Sequence, residues 1–451
     1  MQSPWILESP RTRKAKRLAS ALDTDVIIIG AGIAGMTTAF EILKNTPLRV
    51  TVLEAGEVGG SATGHNAGIF IADTERPVKS VYDEYGPVLT RAMLDELRGS
   101  WELLESCIAE LGLALPLYPL PALLGLKSET VLNESLADAK VRVELGDQTE
   151  LVCVREDLLA GIKEEYRHLV KGVSREDIQA KLEVNDPGFL GYWPDRRAAA
   201  GNSRVLSEEI AAALLGRYEG RLALHEQTRV KRITADSESV TLVTEDGHTV
   251  TGKYTVLTTN GFENLHIDNH AGEPIDASFH YEVRGAVGFM LGYLVKETYS
   301  PVMAAYLGVW NFKGHPVYSE EALEDPYIYL SRRPYDGKTL ITVGGPEDFV
   351  DDTSVYTPEY VFPDKAFKDI KDFLKTYRIP LPEKPDFMWH GLMGYTRSGL
   401  RLVGPEPKNP RIIYNLGCNG IGLLPSFIGA NRIARLLLGE KLPPSVFDPK
   451  G

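Results

Sequence analysis

Residues 25–35 read DVIIIGAGIAG, and this stretch decides the fold. Asp25 to Ile29 is a short, β-branched apolar run, the pattern of a parallel strand buried on both faces. The turn Gly30-Ala31-Gly32-Ile33-Ala34-Gly35 follows at once, and Met36 to Lys44 has good helix formers at helical spacing. Asn45-Thr46-Pro47 breaks that helix, and Arg49 to Leu53 reads as a second strand ending in Glu54. The whole is a β-α-β unit of about thirty residues.

A lone GxGxxG means little, but between a strand and a helix it has a mechanism. Gly30 permits the tight turn, Gly32 lets the backbone approach a pyrophosphate, and Gly35 lets helix and strand pack closely. The helix start at Ile33 and Ala34 turns its partial positive charge toward the phosphates. Glu54 lies nineteen residues beyond Gly35, where a carboxylate can accept both hydroxyls of an adenosine ribose. A 2′-phosphate there would be repelled, which disfavours NADP. The next loop separates FAD from NAD. Ala55, then Ser61-Ala62-Thr63-Gly64-His65-Asn66-Ala67-Gly68, offers backbone N–H groups and hydroxyls to a long ligand. An extended flavin needs such a loop and NAD does not, so FAD is the expected cofactor.

The rest of the chain fits a large globular enzyme. Its 451 residues, 43% hydrophobic and 25% charged, exclude a disordered chain and a small disulfide scaffold, and imply two or three domains. A net charge of -13 argues against nucleic acid and anionic membranes as partners. The basic run Arg11, Arg13, Lys14, Lys16 and Arg17 reads as an arm packed on the body rather than a targeting signal. No apolar run is long enough to cross a bilayer. Cys107, Cys153 and Cys418 form no metal-ligand pattern. One disulfide is open to them, but a reducing, cytoplasmic setting fits better.

Further along, Ala92 to Leu111 and Val205 to Leu215 read as amphipathic helices, and Leu115 to Val154 as extended structure with turns. Leu222 to Ile233, Val240 to Glu245 and Thr249 to Thr258 read as strands, with a hairpin at Glu245-Asp246-Gly247-His248. Ser278 to Gly345 is strand-rich and aromatic, and Pro363 to Tyr377 reads as a helix. The chain closes as strand (Arg411 to Leu416), glycine turn (Gly417 to Gly422) and helix (Pro425 to Leu438).

Several stretches together resemble the FAD-dependent oxidoreductases of the D-amino-acid oxidase (DAO) superfamily, which includes glycine oxidase, sarcosine oxidase and dimethylglycine dehydrogenase. They are Ser3-Pro4-Trp5 ahead of the glycine unit, the SATGHNAG loop, and VLTTNG at Val256 to Gly261. Trp389-His390-Gly391-Leu392-Met393-Gly394-Tyr395-Thr396 with Gly404-Pro405, and the turn Gly417-Cys418-Asn419-Gly420-Ile421-Gly422, complete the set. The match is nearest to γ-glutamylputrescine oxidoreductase-like members. His65 stands where close relatives commonly carry Arg, and Met393 and Arg397 also depart from the glycine-oxidase pattern.

The resemblance implies an α/β fold: a Rossmann-like (GR2-type) FAD-binding domain in three pieces, 1–112, 156–265 and 386–451, and a substrate domain on a mixed sheet, 113–155 and 266–385. It implies backbone contacts to adenine at Val230, a return strand ending at Thr259, Asn260 and Gly261, and flavin contacts at Gly394 and from Gly417 to Leu423. N–H groups of the last helix would stabilise the anionic reduced ring. His65 occupies the spacing of the histidine that is joined to the flavin in sarcosine and dimethylglycine dehydrogenases. Covalent and non-covalent contact both stay open for it, and Cys418 is a weaker candidate tether.

For substrate, Tyr281, Arg284, Tyr306, Trp310, Tyr327, Tyr329, Arg332 and Arg333 are candidates, because aromatics cage amines and arginine clamps carboxylates. Tyr395 is the preferred one, and Tyr395 and His65 are the candidate catalytic residues. His390 reads as structural. The expected reaction is oxidation of the C–N bond of an amine or amino acid, with oxygen or another acceptor reoxidising the flavin. Oxidation of a hydroxy acid or polyol phosphate, or a flavin-binding assembly factor without turnover, are the alternatives. No metal site is expected.

Overall fold

The Val26–Ile29 strand alternates between two cores, which is why all four of its residues are apolar. Val26 and Ile28 join the cluster under the helices, while Ile27 and Ile29 join a second cluster on the opposite face. The structure, a computed structural model, describes residues 3–9, 13–194, 197–262, 265–275, 283–307, 327–350 and 356–450.

Val26–Ile29 sits within a six-stranded sheet. Its strand order is Leu222–His225, Val50–Leu53, Val26–Ile29, Tyr254–Leu257, Asn409–Leu416 and Leu402–Glu406. All neighbours are parallel except the last pair. The helices Ile33–Asn45 and Leu423–Leu437 pack together on one face. A five-stranded sheet covers the other, through Ile233, Leu242 and Val250. With both faces covered, strand ends rather than strand faces are left to bind a ligand.

A mixed nine-stranded sheet forms the second layer. Its order is Phe387–Thr396, Val283–Val295, Lys338–Val350, Ile328–Tyr335, Val302–Leu307, Ala122–Leu126, Gly191–Pro194, Val152–Arg155 and Val170–Val173. It is assembled from widely separated pieces of chain, among them Val170–Val173, Gly191–Pro194 and Phe387–Thr396.

Several elements form as read: the glycine unit, the helix Ser203–Arg217, the Val240–Thr244/Thr249–Gly252 hairpin, and the closing strand–turn–helix. Others differ. Leu222 to Ile233 is two strands in different sheets, Leu222–His225 and Val230–Ala235, because Gln227 turns the chain at φ 50°. Thr249 to Thr258 divides in the same way into Thr249–Gly252 and Tyr254–Leu257. The stretch read as extended holds a 16-residue helix, Glu129–Glu144, whose start is capped by Ser128 accepting from the Val131 N–H. Its buried face includes the ion pair Asp138–Arg142, and those charges mask the apolar period. The long helix Val78–Leu111 begins before Ala92, running through an interruption at Gly86 and Pro87.

The N-terminal segment packs on the body. Trp5 is buried against Trp389, and its indole N–H donates to the Asn66 carbonyl oxygen at 2.5 Å. Arg13 pairs with Glu226 and Glu208. The three cysteines are unbonded. Among the described residues no helix is long and apolar enough to cross a membrane, and no side-chain cluster could hold a metal ion.

Candidate active site

A single cavity of about 1730 Å³ runs from the C-terminal ends of the parallel strands to one face of the nine-stranded sheet. Common small-molecule pockets hold roughly 300–1,000 Å³, so there is room for a long cofactor and a substrate together.

The first end is a cradle of backbone. Gly30, Gly32, Ile33 and Ala34 line it at the start of the Ile33–Asn45 helix. A Cβ on Gly32 would lie 2.9 Å from Thr63 Oγ1, and one on Gly35 would run into the Gly30 carbonyl oxygen. Gly35 therefore lies behind the wall and brings helix and strand together. Glu54 Oε2 accepts from the Ala31 N–H at 2.7 Å and Oε1 from the Gly56 N–H at 2.7 Å. Burial pushes this carboxyl up and the two N–H groups pull it back. Ala55, Thr228, Arg229 and Val230 complete this end.

The middle is the loop at 61–68. Thr63 Oγ1 accepts from the Ile33 N–H at 3.0 Å, tying the loop to the helix start. Asn66 donates to the Thr63 carbonyl oxygen at 3.0 Å and accepts from the Gly68 N–H at 2.8 Å. Ser61, Ala62, Thr63, His65, Asn66, Ala67 and Gly68 all line the cavity. His65 Nδ1 lies 2.9 Å from the Ser61 carbonyl oxygen. A carbonyl only accepts, so Nδ1 carries the proton and Nε2 keeps its lone pair when the ring is neutral. Burial lowers the His65 pKa and favours that neutral ring.

The opposite wall comes from the turn after the Asn409–Leu416 strand. Cys418, Gly420, Ile421, Gly422 and Leu423 line it, with Thr259 and Asn260 alongside. Asn260 Oδ1 accepts from the Cys418 N–H at 2.8 Å, and Asn419 Oδ1 accepts from the Thr396 N–H at 2.8 Å. Gly261, Gly394, Gly417 and Asn419, read as cofactor contacts, lie outside the lining and hold the turn in shape. A Cβ on Gly394, for instance, would strike the Asn260 carbonyl oxygen. Burial raises the Cys418 pKa, so it stays a thiol and a poor nucleophile.

Arg401, absent from the sequence reading, also lines this wall. It is 7% exposed and donates through Nε and Nη2 to Asn415 Oδ1 and O at 2.7 and 3.2 Å. Burial lowers its pKa to about 10, which leaves it cationic at neutral pH. Among the described residues, every other arginine lining the cavity is ion-paired with a carboxylate. A buried guanidinium without a carboxylate, an uncapped helix N-terminus at Gly422, and a backbone cradle fit the phosphates and ring of FAD.

The last region is built of side chains on the nine-stranded sheet. Met290, Tyr329, Glu347, Met393 and Tyr395 line it, and Glu75 enters from the loop before the Val78–Leu111 helix. The Tyr395 hydroxyl donates to Glu75 Oε2 at 3.0 Å, and Tyr329 donates to Met290 Sδ at 3.0 Å. Glu75 Oε1 lies against Gly420, where a Cβ would strike it. Burial, and then the charge of Glu347, push the Glu75 carboxyl up to about 8. Burial and both carboxyls hold Tyr329 as a neutral phenol.

The structure therefore joins Tyr395 and Tyr329 to the cavity, along with Tyr327. Arg284 stands beside Tyr395 in register but outside the lining, its guanidinium 5.3 Å over the Phe349 ring. Tyr306 donates to the Leu182 carbonyl oxygen in the core, Arg332 pairs with Glu183, and Arg333 pairs with Glu8. These three are structural. His390 lines the cavity edge but packs among Tyr356, Tyr360 and Phe289, with Nδ1 3.0 Å from the Tyr356 hydroxyl. Arg11, Tyr281 and Trp310 lie outside the described residues. Sequence reasoning missed Glu75, Glu347 and Arg401. Only Glu75 gave a signal, as an acid soon after the SATGHNAG loop.

Comparison with known proteins gives a matching context. The family model described as "DAO: FAD dependent oxidoreductase" matches residues 25–436. Thiamine thiazole synthase 4, chloroplastic, from Physcomitrium patens is 25% identical over 191 residues, 41% of this chain and 48% of that protein. The chain thus spans about half the length of the curated relatives it matches. Among solved structures, NikD, described as an unusual amino acid oxidase essential for nikkomycin biosynthesis, aligns with TM-score 0.67 and 13% identity. It covers 95% of this chain and 98% of that one. Glycine oxidase from Geobacillus kaustophilus aligns with TM-score 0.62 and 15% identity over 95% and 98%. At such identities the likeness is one of fold.

Proposed function

The chain belongs to the DAO family of FAD-dependent oxidoreductases, and from that premise we propose that it oxidises the C–N bond of an amine or amino acid. We read it as nearest to γ-glutamylputrescine oxidoreductase-like members, on the strength of the Ser3-Pro4-Trp5 and SATGHNAG stretches. FAD, when bound, accepts the hydride from the carbon beside nitrogen; the imine product hydrolyses in water, and oxygen or another acceptor regenerates the cofactor.

The observation that carries this reading is the chemistry of the sheet-side wall: two carboxyls, Glu75 and Glu347, beside Tyr329 and Tyr395. Such a wall suits an ammonium group. A polyol phosphate would require unpaired basic groups. Among the described residues the lining arginines other than Arg401 are already paired, and Arg401 lies against Asn415 on the cofactor side. Gly30, Gly32, Ile33, Ala34 and Glu54 would hold the adenosine and pyrophosphate portion. The 61–68 loop and the Cys418–Leu423 turn would hold the flavin, and His65 would contact it. Gly420 and Glu75 meet where that turn reaches the sheet, so substrate binds between ring and sheet.

The test is anaerobic absorbance of the purified holoenzyme with a panel of amines, amino acids, hydroxy acids and polyol phosphates. Bleaching of the flavin band by an amine or amino acid is expected. Bleaching by a hydroxy acid or polyol phosphate alone overturns the reading. FAD that dithionite reduces and no member of the panel does also overturns it, in favour of a binding protein without turnover.

A further inference from the structure

An amine oxidase must lose a proton from nitrogen before the carbon can release hydride, because an ammonium has no lone pair to drive hydride departure. The proton acceptor has to sit within the cavity and be able to hold the proton. Two groups of this chain meet that demand together, Glu75 and Glu347.

Their placement comes from two unrelated pieces of chain. Glu347 stands on the Lys338–Val350 strand opposite Gly288, and Gly288 stands opposite Gly391 on the neighbouring strand. Directly opposed residues share a face, so Glu347 shares one with Gly391 and, by the two-residue period, with Met393 and Tyr395. Glu75 descends on that face from the loop ahead of the Val78–Leu111 helix. One of its oxygens accepts from Tyr395, and the other takes no hydrogen bond among the described residues and lies by Gly420. Burial and the charge of Glu347 hold the Glu75 carboxyl up at about 8, so at neutral pH Glu75 keeps its proton and the two carboxyls carry a single charge. Tyr395 fixes the orientation of Glu75. The Tyr329 phenol feels the charge of both carboxyls and donates to Met290 Sδ.

We propose that the Glu75–Glu347 pair is the recognition element for the substrate's ammonium group and the acceptor of its proton. The inference rests on the amine-oxidation reading above and deepens it. The bookkeeping is simple. The N–H bond of the ammonium breaks, and its proton joins the singly charged pair, which becomes neutral. The freed lone pair forms C=N as the C–H bond breaks, and the hydride with its two electrons passes to FAD. The same wall sets substrate class. No unpaired cation among the described residues lines the cavity beside the pair, so a carboxylate on the reacting carbon would meet two carboxyls. The substrate is a primary or secondary amine without a carboxylate at that carbon.

The experiment uses the FAD-loaded protein and two readouts. In the first, tetramethylammonium and acetate are titrated separately while the flavin difference spectrum is followed. Tetramethylammonium is expected to perturb the spectrum saturably. Glu75→Gln and Glu347→Gln singly leave one carboxylate and are expected to keep this binding, whereas the double variant Glu75→Gln/Glu347→Gln is expected to weaken it by roughly 10- to 100-fold, the loss of one charge-assisted contact. Flavin content and melting temperature check that each variant is folded. In the second, butylamine and norvaline, alike except for the carboxylate, are compared as anaerobic reductants. Butylamine is expected to bleach the flavin faster. In the double variant the rate should rise with pH toward the ordinary amine pKa, since deprotonation then depends on solvent.

Faster bleaching by norvaline, or tighter binding of acetate than of tetramethylammonium, overturns the inference and makes Arg284 the group to test, with amine oxidation intact. Unchanged tetramethylammonium binding in the double variant also overturns it. If neither compound, nor any other amine or amino acid, bleaches a flavin that dithionite does reduce, the functional reading itself falls.

Discussion

The two ends of the cavity are made of different material. The cofactor end is backbone: glycines packed against carbonyls, N–H groups at a helix start, and a turn held by Asn260 and Asn419. The substrate end is side chain: Glu75, Glu347, Tyr329, Tyr395 and Met290, gathered from a loop and several strands. Their charges also differ. Arg401 and the Gly422 helix start make the first positive, while the carboxyl pair makes the second negative. A cavity polarised in this way draws an anionic cofactor to one side and a cationic substrate to the other. Backbone cannot give way, whereas a side chain can be replaced with the wall left standing, so the two ends should fail differently when changed.

The largest failure belongs to the glycine cradle. In Gly35→Ala the new methyl meets the Gly30 carbonyl oxygen, a backbone atom with nowhere to go. The ratio of flavin to protein absorbance after purification should fall to the apoprotein value. A variant that keeps stoichiometric FAD would show that the helix can slide away from the strand and that the contrast is wrong.

Trp5→Ala comes next. Trp5 is 1% exposed, packs edge-on to Trp389 at 6.4 Å, and donates to Asn66 in the flavin loop. Losing a buried tryptophan costs roughly 3–5 kcal/mol. Melting should shift downward in the holoenzyme, and FAD should dissociate faster, because the strap and the loop share the Asn66 carbonyl. A shift in melting with no change in FAD release would confine Trp5 to the core.

Arg401→Met is a smaller and more selective change. It removes a buried cation from the cofactor side and leaves Asn415 its bond to Thr38. FAD affinity should weaken by about 10- to 100-fold, while tetramethylammonium binding at the other end of the reloaded protein stays unaltered. Equal loss at both ends would mean that the cavity's polarity is not local to its walls.

The same difference decides how much was legible in the sequence. Backbone sites leave a local trace, since Gly30, Gly32, Gly35 and Glu54 stand within one β-α-β unit and each spacing has a geometric reason. The SATGHNAG loop and the Gly417–Gly422 turn are local too, and both line the cavity in whole or in part. Side-chain sites depend on strand pairing. Glu347 reaches Glu75 only because a bulge between Gly288 and Met290 resets the register and brings Met290 and Glu347 to one face. Nothing near Glu347 in the chain announces that. Arg284 shows the reverse error: it is the right residue type on the right face beside Tyr395, yet its guanidinium turns to the Phe349 ring. Val170–Val173, Gly191–Pro194 and Phe387–Thr396 join the nine-stranded sheet from distant parts of the chain in the same way, by pairings that no local stretch announces.

The smallest effect is on the stability of the apoprotein. The folded chain holds the Glu75 carboxyl well above its ordinary pKa of 4.5, to about 8, through burial and the charge of Glu347, with Tyr395 opposing. Between those values the folded state keeps a proton that the unfolded state has released. Stability therefore falls as pH rises through this window. His65, His225 and His390 act in the opposite sense, since burial lowers each of them below 6.5, so their contribution is complete above that pH. Burial raises the Cys107 and Cys418 thiols, which adds a loss of the same sign nearer pH 8.5, so the interval clear of both histidine and cysteine is from about pH 7 to about pH 8. Over it the melting temperature of the apoprotein should drop by about a degree, on the order of 1 °C for each kcal/mol lost in a chain of 451 residues. Glu75→Gln should flatten the slope, because a neutral amide has no proton to release. A slope that survives the substitution would place the proton on Glu347 instead, and with it the leading role in the pair.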